Sequence, residues 1–402
     1  MFFSSITGCI TEKEGRIKQI IDALIYIYFS SIFVFTNIRG LNTYSNIIAL
    51  VLMFFLALYN FIHLEGLKNR FSLFISAFTV FAAVSILWSI NKPASKEFAS
   101  TLIKICILCV LLYSYLKTEK KVETIIYAFF VAGLVLSADY LIHYGPKTYL
   151  VRLASGERMG ADIANVNYLS WSLCVAFLSC AYIVLFKKQW IAIVTAPVLL
   201  LLILGTGSRG SFLAMLFAIA VMLFLLGKGW KRVLYLGIYI ALLAAGLFAL
   251  RLPVFGSLSS RLGAFMNLFG KSNTDGSTSV RIEMIKIGLQ AFKRSPLLGL
   301  GFGSSFVLTA ENGIYATYLH NNYIEVLSAG GIIGFVLHYA MYAYPLFRLI
   351  PRAFRNRDKV ATAYISLLFF LLVFDMFTVS YYEKAPAIII CGAFLAADEM
   401  KE

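Results

Sequence analysis

Residues 190–227 read WIAIVTAPVLLLLILGTGSRGSFLAMLFAIAVMLFLLG. Two apolar runs, 190–206 and 211–227, each have the length of a transmembrane helix, about 17 to 25 residues, and only a short small-residue turn around Arg209 parts them. The pattern recurs near 19–37, 47–64, 71–90, 99–116, 123–143, 166–186, 233–250, 323–347, 360–380 and 386–398. With 60% hydrophobic and 14% charged residues over 402 positions and a mean hydropathy of +0.82, no water-soluble fold could hide so many apolar runs. The expected fold is an all-α polytopic membrane protein with about twelve transmembrane helices, both termini on one side of the bilayer, and one large loop.

Lys and Arg in the short loops set the orientation. One side carries Lys13, Arg16 and Lys18, Lys68 and Arg70, Lys117, Lys120 and Lys121, Lys187 and Lys188, Lys228, Lys231 and Arg232, and Arg348, Arg352, Arg355, Arg357 and Lys359. The other carries chiefly Arg39, Lys92, Lys96, Lys147, Arg152, Arg158, Arg209 and Lys384. The richer side is expected to be cytoplasmic, with both termini, which places the long loop outside. The net charge of +15 is mostly this topology signal and calls for no nucleic acid.

Ile6-Thr7-Gly8-Cys9 has the look of a lipoprotein box, but no apolar signal core precedes it, so Cys9 is read as unmodified. Cys106, Cys109, Cys174, Cys180 and Cys391 fall within apolar runs and should pack as small hydrophobes. Cys106-x-x-Cys109 has no further ligand nearby to make a metal site.

The longest polar excursion runs from Arg251 to Asn321 and divides the chain into nine helices (1–250), a loop (251–321) and three helices (322–402). No internal repeat accompanies this uneven division, which argues against a two-halved transporter. Asp22, Lys104, Asp139 and Asp375 lie in or at the edges of spans without an obvious pairing. The loop holds Arg251, Arg261, Lys271, Arg281, Lys286, Lys293 and Arg294 against Asp275, Glu283 and Glu311. Gly256 to Gly276 should be irregular. Ser279 to Arg294 should be an amphipathic helix capped by Ser279, with Ile282, Ile285, Leu289 and Phe292 on its apolar face. Pro296, Gly299, Gly301 and Gly303 then make a tight turn.

Three side chains stand where an external site could form. Arg209 is flanked by small residues that leave its guanidinium accessible, although a snorkelling interfacial arginine would look the same. Arg281 is expected in the first turn of the loop helix, where helix N-terminus and charged fork would both favour phosphate. His320 closes the loop, followed by Asn321 and by Gly331 and Gly334. His338, eighteen residues on and so roughly 27 Å along a straight helix, should not share the site.

These residues resemble the bacterial O-antigen ligase and polymerase family of polyprenyl-diphosphate glycan transferases. The resemblance rests on His320-Asn321 with Gly331-Ile332-Ile333-Gly334, on Arg209 with Leu213, on Arg281, and on Pro296 with the glycines after it. Arg158-Met159-Gly160 with Asn165 and Asn167 matches more weakly, because Val166 stands where the family has proline.

The resemblance implies a GT-C-like membrane glycosyltransferase of the bacterial cytoplasmic membrane that needs no cofactor. Its partners would be an undecaprenyl-diphosphate-linked oligosaccharide donor and a glycan acceptor, either another lipid-linked glycan or lipid A–core. His320, Arg281 and Arg209 would be catalytic, with Arg158, Asn165, Asn167, Asn321 and Arg294 binding substrate. The two arginines would neutralise the departing diphosphate, and His320 would serve as base or as a phosphate-binding imidazolium. The outer loops hold no Asp-x-Asp pair, so no divalent metal is expected. Polymerisation of a lipid-linked repeat unit is the first expectation, ligation to lipid A–core the alternative, and transport the rival from another class.

Overall fold

The computed structural model describes residues 2–35, 41–62, 69–155, 157–160, 162, 165–249 and 276–399. The expected irregular stretch from Gly256 lies almost wholly outside them, as do Arg39, Lys68, Arg251, Arg261 and Lys271. The described residues form helices and no strand: α1 (Phe2–Phe35), α2 (Asn42–Ile62), α3 (Arg70–Val84), α4 (Lys92–Thr118), α5 (Thr124–Tyr144), α6 (Pro146–Ala154), α7 (Val166–Tyr182), α8 (Trp190–Thr206), α9 (Arg209–Leu226), α10 (Trp230–Ala249), α11 (Gly276–Arg294), α12 (Ser305–Glu311), α13 (Asn322–Asn356), α14 (Lys359–Phe374) and α15 (Lys384–Asp398).

Among the described residues, eight segments are long and apolar enough to cross a membrane: Gly15–Phe35, Asn42–Phe61, Arg70–Leu87, Lys92–Thr118, Thr124–Tyr144, Val166–Lys187, Arg209–Leu226 and Asn322–Asn356. Trp190–Thr206 and Lys359–Phe374 are apolar but shorter. The exterior carries Phe54, Phe61, Leu73, Leu87, Ile142 and Phe347 at 65% exposure or more, a surface that only lipid accommodates. The chain is an all-α, multi-pass membrane protein.

Inside the bundle α1 lies against α2 and α5, α7 against α5 and α8, and α14 along α9. Gly133 lets α5 approach α7 closely, since a Cβ there would stand 2.2 Å from that of Ala176. Phe29 and Phe33 of α1 pack on Phe129, and Phe33 continues to Trp171, Phe370 and Phe374. Cys109, Cys174, Cys180 and Cys391 are buried and free. Asp22, unpaired on the sequence reading, holds Lys121 at 2.7 Å.

The element that decides the site is α13. It breaks at Gly331 (φ 60°, ψ −161°) and doubles back, so that Tyr323 stacks on Tyr339 with ring centroids 4.8 Å apart. Such a break leaves backbone groups without helical partners on both arms. Residues 296–301 supply them: Leu300 and Gly301 N–H donate to the carbonyls of Ser328 and Ala329, and Ile332 N–H donates to that of Pro296. Gly331 is required here, because a Cβ would lie 2.3 Å from the Leu297 carbonyl oxygen at a φ that side chains resist. The same segment reaches the α3–α4 corner, where Ile90 N–H donates to Leu300 O and Ser95 Oγ to Phe302 O. The chain from α11 to His320 is therefore threaded into the bundle.

This break corrects the straight-helix estimate for His338. Its Nε2 lies 3.3 Å from Asn322 Nδ2, because the second arm of α13 returns past the first.

Candidate active site

His320 adopts φ +53°, a left-handed conformation that a non-glycine residue keeps only where its surroundings hold it. Glu325, 1% exposed, provides much of that hold by accepting from Leu319 N–H at 2.8 Å and from Ser305 Oγ at 2.6 Å. Asn321 caps α13 by accepting from Ile324 N–H, and its amide donates to Met376 O at 3.3 Å. Asn322 N–H donates to Asp375 O at 2.7 Å. The imidazole is half-buried, its centroid 4.4 Å from that of Tyr318.

The Arg281 charge acts on this histidine because α11 packs tightly on residues 319–324. A Cβ on Gly288 would fall 2.3 Å from Ile324 Cγ2 and 2.6 Å from Leu319 Cδ1. Burial first, and the Arg281 charge second, bring the His320 pKa down to about 4, so the free site holds a neutral imidazole at neutral pH.

Two expectations for α11 need correction. The helix begins at Gly276, so Ser279 lies inside it and Arg281 stands in the second turn rather than the first. Dipole assistance at Arg281 is correspondingly weaker. The inward face is Met284, Ile287, Gly288 and Ala291, while Ile282 and Leu289 are 45% and 41% exposed. Small residues on one side permit a closer approach than the large apolar side chains on the other. Arg294 is exposed at the far end of α11, thirteen residues or about 20 Å along the axis from Arg281, and the structure does not bring it to this group.

The remaining predicted residues gather around the α8–α9 turn. Arg209 is the first residue of α9, and Ser208 before it donates through Oγ to Asn167 Oδ1 at 3.2 Å. Asn165 caps α7 by accepting from Asn167 N–H. Arg158 Nε donates to Thr206 O at 3.1 Å, and Met159 N–H to Gly205 O at 3.0 Å. The described residues of the weakly matched segment are thus laced to the Arg209 turn.

One loop, residues 375–383, serves both groups. Met376 O accepts from Asn321, and Phe377 packs on Gly210 so closely that a Cβ there would stand 2.7 Å from its ring. Asn322 pins the loop by accepting from Ser380 and Tyr381 N–H at 2.9 and 3.1 Å. Its amide also donates to Asp375 Oδ2 and to Tyr339 Oη, with His338 beside them.

Glu325 and Glu383 are not singled out by any motif. An acid three residues inside an apolar run was the available signal for Glu325. Glu383 accepts from Tyr168 Oη at 2.7 Å, and burial holds its carboxyl above the ordinary range. Among the described residues no group of three His, Cys, Asp or Glu side chains is arranged to hold a metal ion.

Residues 191–339 match the O-antigen ligase family model, less than half of the chain but the part that holds Arg209, Arg281 and His320. The resemblance read from the motifs is borne out over this segment. No curated protein matches the chain.

Proposed function

We propose that the protein is a glycosyltransferase of the bacterial cytoplasmic membrane that moves a glycan from undecaprenyl diphosphate to a hydroxyl acceptor. The observation that carries this reading is a neutral, half-buried His320 held in the field of Arg281. The acceptor oxygen would attack the anomeric carbon. Its bond to that carbon forms as the bond to the diphosphate oxygen breaks, the electron pair leaves with undecaprenyl diphosphate, and the acceptor proton passes to His320. Arg281 and Arg209 would neutralise the leaving group without a metal, and Arg158, Asn165, Asn167 and Asn321 would line the approach. Direct displacement inverts the anomeric centre.

In this reading the two shorter apolar helices together with α10 and α15 complete twelve spans of a GT-C-like bundle. Both termini are cytoplasmic and the site is external. The family match favours ligation to a lipid A–core acceptor over polymerisation of repeat units, the second reading. Deletion of the gene separates them. Loss of attached glycan with normal lipid-linked chains indicates a ligase, and single repeat units still attached to the core indicate a polymerase. In purified protein, Arg209→Ala, Arg281→Ala and His320→Ala should each fold and lose transfer; full transfer by all three rejects the assignment.

A further inference from the structure

Charges of both signs act on Tyr318. His320 lies tilted against its ring, the Arg281 charge favours the ionised phenol and the Glu383 carboxylate opposes it. Glu383 closes no ion pair among the described residues. The adjacent Lys384 instead turns its Nζ to Asn46 Oδ1 at 2.7 Å. Tyr168 donates to one carboxylate oxygen.

Beside this pair runs a narrow cleft lined by Ile32, Tyr168, Trp171, Ser172, Thr378 and Glu383. Trp171 is 4% exposed, and its indole N–H has no hydrogen-bond partner among the described residues. A buried donor without a partner is costly, so it marks a place where a ligand or water completes the bonding.

A carboxylate acceptor, an indole donor, a phenol oxygen that can accept and aromatic walls suit an uncharged polyol and repel a phosphate. The diphosphate therefore belongs on the Arg281 side. The incoming hydroxyl must approach from the face opposite the leaving group.

We propose that Glu383, Tyr168 and Trp171 form a hydroxyl-binding subsite for the acceptor sugar, distinct from the Arg281 part of the site that takes the diphosphate. The inference rests on the glycan-transfer reading above and deepens it. The cleft is too narrow for a whole pyranose, so it takes the edge of the ring, one or two hydroxyls. Glu383 is thereby a residue that touches substrate and discriminates among acceptors, and proton removal stays with His320.

The test uses the full chain in lipid nanodiscs with lipid-linked glycan and acceptor glycolipid extracted from the source cells. Acceptor concentration is varied at saturating donor, and undecaprenyl diphosphate serves as the probe of the anionic half. Glu383→Gln and Tyr168→Phe should raise the acceptor KM about tenfold or more, with kcat changed less and undecaprenyl diphosphate binding within about twofold of the parent. Trp171→Phe, which keeps the aromatic packing, should do the same more mildly. An unchanged acceptor KM in Glu383→Gln overturns the subsite while leaving the transfer reading intact. A parallel loss of undecaprenyl diphosphate binding also overturns it, since the residue would then support the site as a whole. If the parent transfers no glycan, and Arg281→Ala binds undecaprenyl diphosphate as the parent does, the transfer reading falls and the subsite with it.

Discussion

At the scale of single residues, His320 carries the clearest pH signature. Its folded pKa of about 4 lies below the ordinary 6.5, so between those values the unfolded chain takes up a proton that the folded site refuses. This residue's contribution to stability accordingly falls as pH drops from 6.5 towards 4. Activity should follow a related rule if His320 is the base. kcat/KM for the free enzyme stays level from neutrality to about pH 5 and declines below about 4. A bound diphosphate offsets the Arg281 charge, so the acid limb of kcat should lie at higher pH than that of kcat/KM. A transfer rate that rises on acidification would instead assign His320 the imidazolium role. Glu325 acts one step back, through the Leu319 amide. Glu325→Ala should cost about 1–3 kcal/mol in stability by stranding buried donors, and it should lower kcat more than the melting loss explains because the +53° backbone at His320 is released. Glu325→Gln, which can still accept one bond, should fall between.

At the scale of elements, the break in α13 separates what the sequence made legible from what it did not. Apolar runs foretold most of the helices, and the His-Asn and Gly-x-x-Gly pattern marked both ends of the arm that matters. Hydropathy does not register a reversal inside one continuous apolar run, so a straight helix put His338 far from a site that it in fact underlies. The face of α11 was misread for a related reason. Counting large apolar side chains finds the broadest greasy surface, whereas close packing on residues 319–324 selects Gly288 and Ala291. Of the proposed site, Arg209, Arg281 and His320 were visible through spacing; Glu325, Glu383 and Tyr318 depend on chain crossings that no local pattern encodes. Gly331→Ala tests the reversal. A positive φ and a 2.3 Å approach to Leu297 O should destabilise the fold by roughly 1–3 kcal/mol or more and abolish transfer. Gly334→Ala meets only the edge of Phe81 at 2.9 Å and should be milder, and melting curves of the two variants in detergent compare them directly.

At the scale of the whole molecule, the bundle is a frame on which distant stretches of chain are brought to one end. The α8–α9 turn, residues 317–322 and loop 375–383 meet there, although the last lies more than fifty positions beyond His320. The stretch after α11 is accordingly part of the bundle, since segment 296–303 bonds to both α13 and the α3–α4 corner. That seam has a dynamic consequence. Leu300 and Gly301 lie in an irregular stretch, yet their amides bond to carbonyls at the heart of a reversed helix. In deuterated buffer they should exchange on the slow timescale of the membrane helices, hours behind ordinary turns, and should open only when the two arms of α13 part. Rapid deuterium uptake at these two amides in otherwise protected protein would mean that the seam breathes independently of the helices it joins.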